Sequence, residues 1–528
     1  MQRSFMAKLQ FAVRPVAFVL LLCLCVSGVT SILVPKNYTR EWMSPVPTYC
    51  GFYRLEDNTA DVLFLGSSHS YSGFCPQVLY NEYGITSYNL AMGNQSLLLN
   101  YYWLKEALKT QKPSAVVLEG IFAFHRDDSV TNAPESANQK SLGYMHWSEN
   151  RIGAIRALCE ADPENYSWES FVPVFRYHDR WKELHEEDFT AGDIAKRSGL
   201  MGFSGAFRYY CRIDDYKPYE RAKDTEPEEM LPLMRTYLDK ITDLCKERGI
   251  RLILTLTPSL SASASRSAAL CLYAEEKGLE FYDFNLASEI AGMQYDFAVD
   301  NADEDHPNIW GAQKVTTRLG EMLVGRGEGE EGQTSQSGDL QSLPAGEKAG
   351  EALTGHKDAQ WEEADAVYQA ALRDAELMHC KKIDEYISRL QDERYCVLIS
   401  VKGDASKGLD GQSAAHLREL GLQEDLSDLG GDAYVAVIDG GEVLLEERAE
   451  SSVSEQGSIR DGKTMFSIRS EGAGAESSDG ASSIRIDGAE QSVDGEGINI
   501  VVVLRENCAC FDKVSFDTAA GGEAACVR

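Results

Sequence analysis

Two short segments carry residue types that can act on an ester. Gly66-Ser67-Ser68-His69 ends the apolar run Val62-Leu63-Phe64-Leu65. Asp303-Glu304-Asp305-His306-Pro307-Asn308 opens a helical-looking stretch that reaches Val324. A serine hydroxyl is a weak nucleophile near neutral pH. It needs a base to take its proton, an acid to orient that base, and donors for the oxyanion. Ser68, His306 and Asp303 can fill the first three roles, because Asp303 lies three residues before His306 and can fold back onto its imidazole. Each has a plainer reading. Ser67 and Ser68 can cap a following helix, as can Asp303 or Asp305. His69 is expected as a surface or loop histidine rather than the base.

Elements that bring such distant segments together are legible between Asp61 and Val324. Strand-length apolar runs occur at Val62–Leu65, Tyr88–Ala91, Val116–Glu119, Leu252–Thr257 and Leu279–Phe284. Helix-length stretches lie between them, at Leu97–Lys109, Met230–Arg248 and Ser265–Glu276. Alternation of this kind predicts an α/β fold with a doubly wound parallel sheet covered on both faces. In such a sheet the turn after the first strand and the loop before the last helix share the carboxyl edge. Residues about 126–224, rich in Trp, Tyr, His and charge, interrupt the pattern and read as an insertion over the strand ends.

The chain of 528 residues exceeds one ordinary domain, and its net charge of −32 argues against nucleic-acid binding. Val16 to Val34 carries no charge, lies between Pro15 and Pro35, and follows Arg3, Lys8 and Arg14. As a helix it spans about 28 Å, close to the hydrocarbon thickness of a bilayer. The basic flank predicts a cytoplasmic N-terminus and a single-pass anchor, with everything after Lys36 extracytoplasmic. A cleaved signal peptide, cut near Val26-Ser27-Gly28, is the competing reading. The 13 cysteines contain no C-x-x-C pair, so no zinc ribbon, other metal site or cofactor is implied.

The expected domains are an anchor over residues 1–35, an α/β domain over 36–324, a linker over 325–357, a connecting helix over 358–394 and a smaller α+β or β-rich domain over 395–528. The linker is Gly-, Glu- and Ser-rich and lacks the strand and helix cap of a phosphate-binding loop. The last domain holds the apolar strands Tyr395–Ser400, Tyr434–Ile438 and Ile498–Leu504.

The α/β domain resembles the SGNH (GDSL-type) hydrolase superfamily, whose sheet is flavodoxin-like. Gly66-Ser67-Ser68 stands where that family has Gly-Asp-Ser, and Asp303-x-x-His306 matches its final block. The resemblance implies Ser68 as nucleophile, His306 as base and Asp303 as orienter. Asn89-Leu90-Ala91-Met92-Gly93-Asn94 is similar to the second block, which implies the Gly93 N–H and the Asn94 side chain as oxyanion donors. The family's third block has an asparagine after the third strand. Here Val116-Val117-Leu118-Glu119-Gly120-Ile121 has none, and an ionised Glu119 cannot donate. The layout resembles DltD-like, membrane-anchored envelope members, which accompany MBOAT-type membrane acyltransferases. A partner of that type and an envelope polysaccharide substrate are therefore implied.

The C-terminal segments Ser483–Gly488, Gly497–Val503 and Phe516-Asp517-Thr518 resemble the interleukin-like EMT inducer (ILEI, or PANDER-like) domain. Val397–Ser400 with Asp404, Leu417–Leu422 and Asp432–Val437 resemble its other half, in the order of a circular permutant. Related domains in glycan-processing proteins bind carbohydrate, which makes Asn499 the candidate sugar contact. Alternation along this strand puts Ile498, Ile500 and Val502 on one face and Asn499 on the other. Two functions follow. One is an acyl-ester hydrolase or acyltransferase acting on an envelope glycan or teichoic-type polymer. The other is a non-enzymatic adaptor with a degenerate SGNH scaffold and a glycan- or protein-binding C-terminal module.

Overall fold

The computed structural model describes residues 2–34, 45–189, 199–203, 213, 216–220, 224–325, 353, 355–474, 482–505, 510–520 and 524–528. Nearly all of the predicted linker lies outside the described residues. The chain forms two compact units, Met1–Ala371 and Leu372–Arg528.

The first unit begins with α1 (Gln2–Leu33) and α2 (Pro45–Phe52). Its sheet alternates with helices as β1 (Val62–Leu65), α3 (Ser68–Gly73), α4 (Pro76–Tyr83), β2 (Ser87–Asn89), α5 (Leu97–Ala107) and β3 (Ala115–Glu119). The insertion follows β3 as α6 (Glu135–Tyr144), α7 (Glu149–Ala161), α8 (Pro173–Tyr177) and several single 3-10 turns. Then come α9 (Pro232–Arg248), β4 (Arg251–Leu256), α10 (Ala264–Lys277), β5 (Glu280–Asp283), α11 (Ala287–Met293) and α12 (Ile309–Leu323).

The five strands are parallel in the order β2-β1-β3-β4-β5. This is the doubly wound α/β arrangement that the alternation predicts. Strands β1 and β3 are buried along their whole length, because helices cover both faces. One face packs Leu63, Leu65, Val116 and Leu118 against α5 and α9. The other packs Val62, Phe64, Ala115 and Val117 against Val315, Leu319 and Leu323 of α12. Serines cap two of the helices. Ser96 Oγ accepts from Leu99 N at 3.4 Å, and Ser263 Oγ accepts from Arg266 N at 3.3 Å.

Helix α13 (Ala359–His379) runs through the division between the units. Trp361 and Ala364 sit in the core of the first unit, and Trp361 Nε1 donates to Ser87 O at 3.2 Å. Leu377 belongs to the core of the second. The stretch expected as a connector is therefore structural in both.

The second unit continues with α14 (Ile383–Arg389), β6 (Tyr395–Gly403), α15 (Gly411–Glu419), β7 (Ala433–Asp439), β8 (Glu442–Ala449) and β9 (Ser452–Ile459). It ends with β10 (Thr464–Gly472), β11 (Ser483–Ile486), β12 (Ala489–Glu490), β13 (Gly497–Leu504), β14 (Cys510–Asp517) and β15 (Ala525–Val527). These form one mixed sheet of ten strands with β6 and β13 at its centre. Ile498, Ile500 and Val502 face the helices, as alternation predicts. Val501 and Val503 face a second apolar layer built from Val453, Ile459, Phe466, Ile468 and Ile484. Both faces of β13 are covered.

Candidate active site

The turn that carries Ser68 is fixed by its first residue. Gly66 has φ +139°, and a Cβ there would stand 2.9 Å from Glu119 Cβ and 3.0 Å from Ser70 Cβ. Only glycine lets β1 turn this closely past β3 into α3. Asn100, buried on α5, clamps the turn. Its Oδ1 accepts from Gly66 N at 2.9 Å and its Nδ2 donates to Gly66 O at 3.2 Å. Gln95 Nε2 donates to Asn100 Oδ1 at 2.8 Å and holds that amide in place. Asn89, at the end of β2, donates to Ser70 O at 2.9 Å and ties α3 to the sheet edge.

Ser67 occupies the N-cap position of α3, yet its side chain makes no capping bond. Ser68 is the first residue of α3 and keeps 8% of its surface exposed. Serine at this place is thus not spent on a helix cap. Asp303 and Asp305 do not cap α12 either, since Asn308 does. Its Oδ1 accepts from Trp310 N and Gly311 N, each at 3.1 Å.

Asp303 folds back on His306 as its spacing predicts. His306 Nδ1 lies 2.7 Å from Asp303 Oδ1 and 2.9 Å from Oδ2. Burial alone would raise the Asp303 carboxyl. The hydrogen bond from His306 and its charge outweigh that and hold it below the usual carboxylate range. An ionised carboxylate can only accept, so Nδ1 carries a hydrogen, and in the neutral imidazole Nε2 presents a lone pair. His306 Nε2 is buried without a partner among the described residues, so Ser68 Oγ is not bonded to it in this resting arrangement. Helices α3 and α12 pack together, which sets Ser68 and the His306 loop at one carboxyl edge.

His69 departs from its expected exposure. It is buried on α3, with both ring nitrogens unpartnered and its ring 5.2 Å from that of His306. Burial, then the charge of His306, pushes its pKa well below the ordinary histidine value, so it is neutral. The burial that sequence could not reveal comes from the close packing of α3 on the sheet.

Asp305 serves the surroundings. Its Oδ1 accepts from Ser259 Oγ at 2.7 Å and Ser261 N at 3.1 Å, and its Oδ2 accepts from Arg126 at 3.3 Å. Against the upward push of burial, the hydrogen bonds from Ser259 and Ser261 and the charge of Arg126 hold it well below the usual range. This lashes the His306 loop to the loop after β4 and to the start of the insertion.

Glu119 is buried at the end of β3, where Oε2 accepts from Ile121 N at 3.3 Å and Oε1 has no partner. Burial pushes its carboxyl up to about 8, more than the nearby backbone N–H groups and Arg126 can offset. It is therefore a neutral acid near pH 7. The objection that an ionised Glu119 cannot donate does not apply to that form.

Gly93 and Asn94 form the turn after β2. Gly93 is half-buried and Asn94 is exposed, with φ 56°. The supporting roles of Asn100 and Gln95 are not legible in the sequence motifs. The one signal for Asn100 is a polar residue directly after Leu97-Leu98-Leu99 on the buried face of an apolar helix.

In the second unit, Asn499 is fully buried, because the two apolar layers enclose β13. Its Oδ1 accepts from Gly495 N at 2.9 Å and its Nδ2 donates to Gly495 O at 2.7 Å. The amide holds a turn and offers nothing to a sugar, which corrects the expected contact. Among the described residues no cluster of His, Cys, Asp and Glu could hold a metal ion. The described cysteines form no disulfide.

No protein-family model and no curated protein matches the chain. Two solved structures are similar to part of it. One is a Bacteroides fragilis protein described provisionally as an acylhydrolase, at 14% identity and TM-score 0.24, over 51% of this chain and 90% of that one. The other is a gut microbial diltiazem-metabolizing enzyme, at 13% identity and TM-score 0.19, over 51% of this chain and 49% of that one. At such TM-scores neither likeness carries an argument about activity.

Proposed function

We propose that this protein is a membrane-anchored, extracytoplasmic serine acyl-ester hydrolase or acyltransferase of SGNH type, acting on a cell-envelope glycan or teichoic-type polymer. The observation that carries the reading is the Asp303–His306 pair, bonded at 2.7 Å with Nε2 left free at the edge where α3 presents Ser68. In this mechanism Nε2 takes the Ser68 proton as Oγ attacks the acyl carbonyl. The resulting imidazolium is stabilised by Asp303, and neutral His69 adds no second positive charge beside it. Gly93 N–H and the Asn94 side chain receive the oxyanion. The C–O bond to the polymer breaks as His306 returns its proton to the leaving oxygen. Water, or an acceptor hydroxyl, then releases the acyl group from Ser68 by the same steps in reverse.

The single-pass anchor, an MBOAT-type membrane acyltransferase as partner and the ILEI-like character of the second unit belong to the same proposal. Support for the anchor is a helix from Arg14 to Leu33 that is long and apolar enough to cross a bilayer and almost wholly exposed. One observation favours the adaptor reading. The family's third-block asparagine is absent, and Asn94 sits on an exposed turn. Labelling by a fluorophosphonate probe decides between them. The enzyme reading expects labelling of the wild type and none of Ser68→Ala. Failure of the wild type to label, with capture of a protein or glycan ligand by the intact chain, supports the adaptor.

A further inference from the structure

The insertion carries large apolar side chains that are half or more exposed among the described residues. Trp168, Phe175, Trp181 and Phe189 are 50%, 61%, 65% and 61% exposed. They lie on α8 and on three short 3-10 turns, Trp168–Phe171, His178–Lys182 and Glu186–Phe189. Single exposed apolar residues need no explanation, but four aromatic ones within one short stretch do.

Their place in the fold says what covers them. Helix α1 packs against α8 and against the two later turns. Arg180 Nη1 donates to Leu33 O at 2.7 Å, which satisfies a carbonyl of the last turn of α1. Val34 shares one small cavity with Phe171, Pro173 and Tyr177. The rest of the apolar part of α1 is exposed, from Val16 to Leu24 in particular. The stretch 168–189 therefore lies against the point where the apolar helix ends. In a bilayer that point is the headgroup level, where Trp and Tyr rings concentrate. The polar residues there suit the same level. The Lys182 ammonium lies 5.6 Å from the Trp181 ring, and its stem can run along that ring with the charge in water.

We infer that Trp168, Phe175, Trp181 and Phe189 form a lipid-contacting collar that seats the first unit on the membrane surface around the exit of α1. The collar rests on the anchor reading above. It would fix which way the unit faces the bilayer.

The test uses the full-length chain, in a Trp42→Phe background, reconstituted with phosphatidylcholine brominated near the headgroup or deep in the acyl chain. Tryptophan emission should be quenched more by the shallow bromines. Trp168→Gln/Trp181→Gln should lose at least half of the quenchable emission. Carbonate extraction of the same vesicles separates the two ideas. A chain that resists extraction but shows no shallow quenching overturns the collar and leaves the anchor standing. A chain released by carbonate overturns both. If the double variant misfolds, the depth preference of the parent decides alone, and equal or absent quenching at the two depths refutes the collar.

Discussion

Replacing Glu119 by glutamine tests the neutral acid behind the nucleophile turn. Glu119 has an ordinary value of 4.5 when solvated and about 8 in the fold, where burial is the main cause. The unfolded chain loses its proton near 4.5 while the folded chain keeps it to about 8. Between those values the unfolded state binds fewer protons, so stability falls as pH rises, then levels off above the folded value. Each pH unit inside the window costs about 1.4 kcal/mol. From pH 5 to pH 8 the wild type should lose roughly 3–4 kcal/mol relative to Glu119→Gln, which cannot ionise. Urea unfolding followed by tryptophan emission reads this directly. All seven tryptophans, from Trp42 to Trp361, lie in the first unit. Comparing wild type and variant at each pH cancels the other titrating groups, His69 included. Parallel stability–pH curves for the two proteins would falsify the account of Glu119 as a buried neutral acid.

Other outcomes follow from the same geometry. Ser68→Ala or His306→Ala should abolish turnover of a short acyl ester without unfolding the chain, and Asp303→Asn should lower it less, as measured by steady-state kinetics. Asn100→Ala should release the Gly66 turn and reduce kcat by about tenfold or more, since a misplaced nucleophile is costly; an unchanged kcat would show the clamp to be irrelevant. Gly66→Ala should destabilise the first unit by about 1–3 kcal/mol from φ strain, with the clash against Glu119 and Ser70 adding to it; a melt within about a degree of wild type would contradict this. His69 is held neutral by burial, so its contribution to stability is present above the ordinary histidine value and is lost as pH falls below it. His69→Gln should therefore flatten the stability curve of the first unit below about pH 6.5.

Residues that announce themselves by period or spacing are readable in advance. The apolar runs of β1, β3 and β4 fall where the sequence puts them within a residue or so. Asp303 and His306 are readable because a three-residue spacing leaves the carboxylate one direction in which to fold back. Strand β2 stops at Asn89 rather than Ala91, because the Asn89 amide turns to the carbonyls of Ser70 and Phe74. Burial contributed by distant segments is not readable. His69 looks like a loop residue until α3 is pressed on the sheet. Asn499 looks like an outward-facing amide until the β9, β10 and β11 layer closes over it. Glu119 ends an apolar strand like any solvent-facing acid, and the fold buries it beside the tight passage at Gly66.

The ten-stranded sheet of the second unit has a further consequence at its borders. Strand β12 has two residues and β15 has three, too few to template another chain. The outer strand β8 carries Glu442, Glu446, Glu447 and Arg448, and β9 is polar along most of its length. Short or charged borders of this kind are how sheets avoid pairing with their neighbours. This module is thus protected from edge-to-edge aggregation at high surface density. Among the described residues an extended peptide would meet only short, charged or polar borders. Any partner of this unit would then be gripped by loops and side chains rather than added to the ladder.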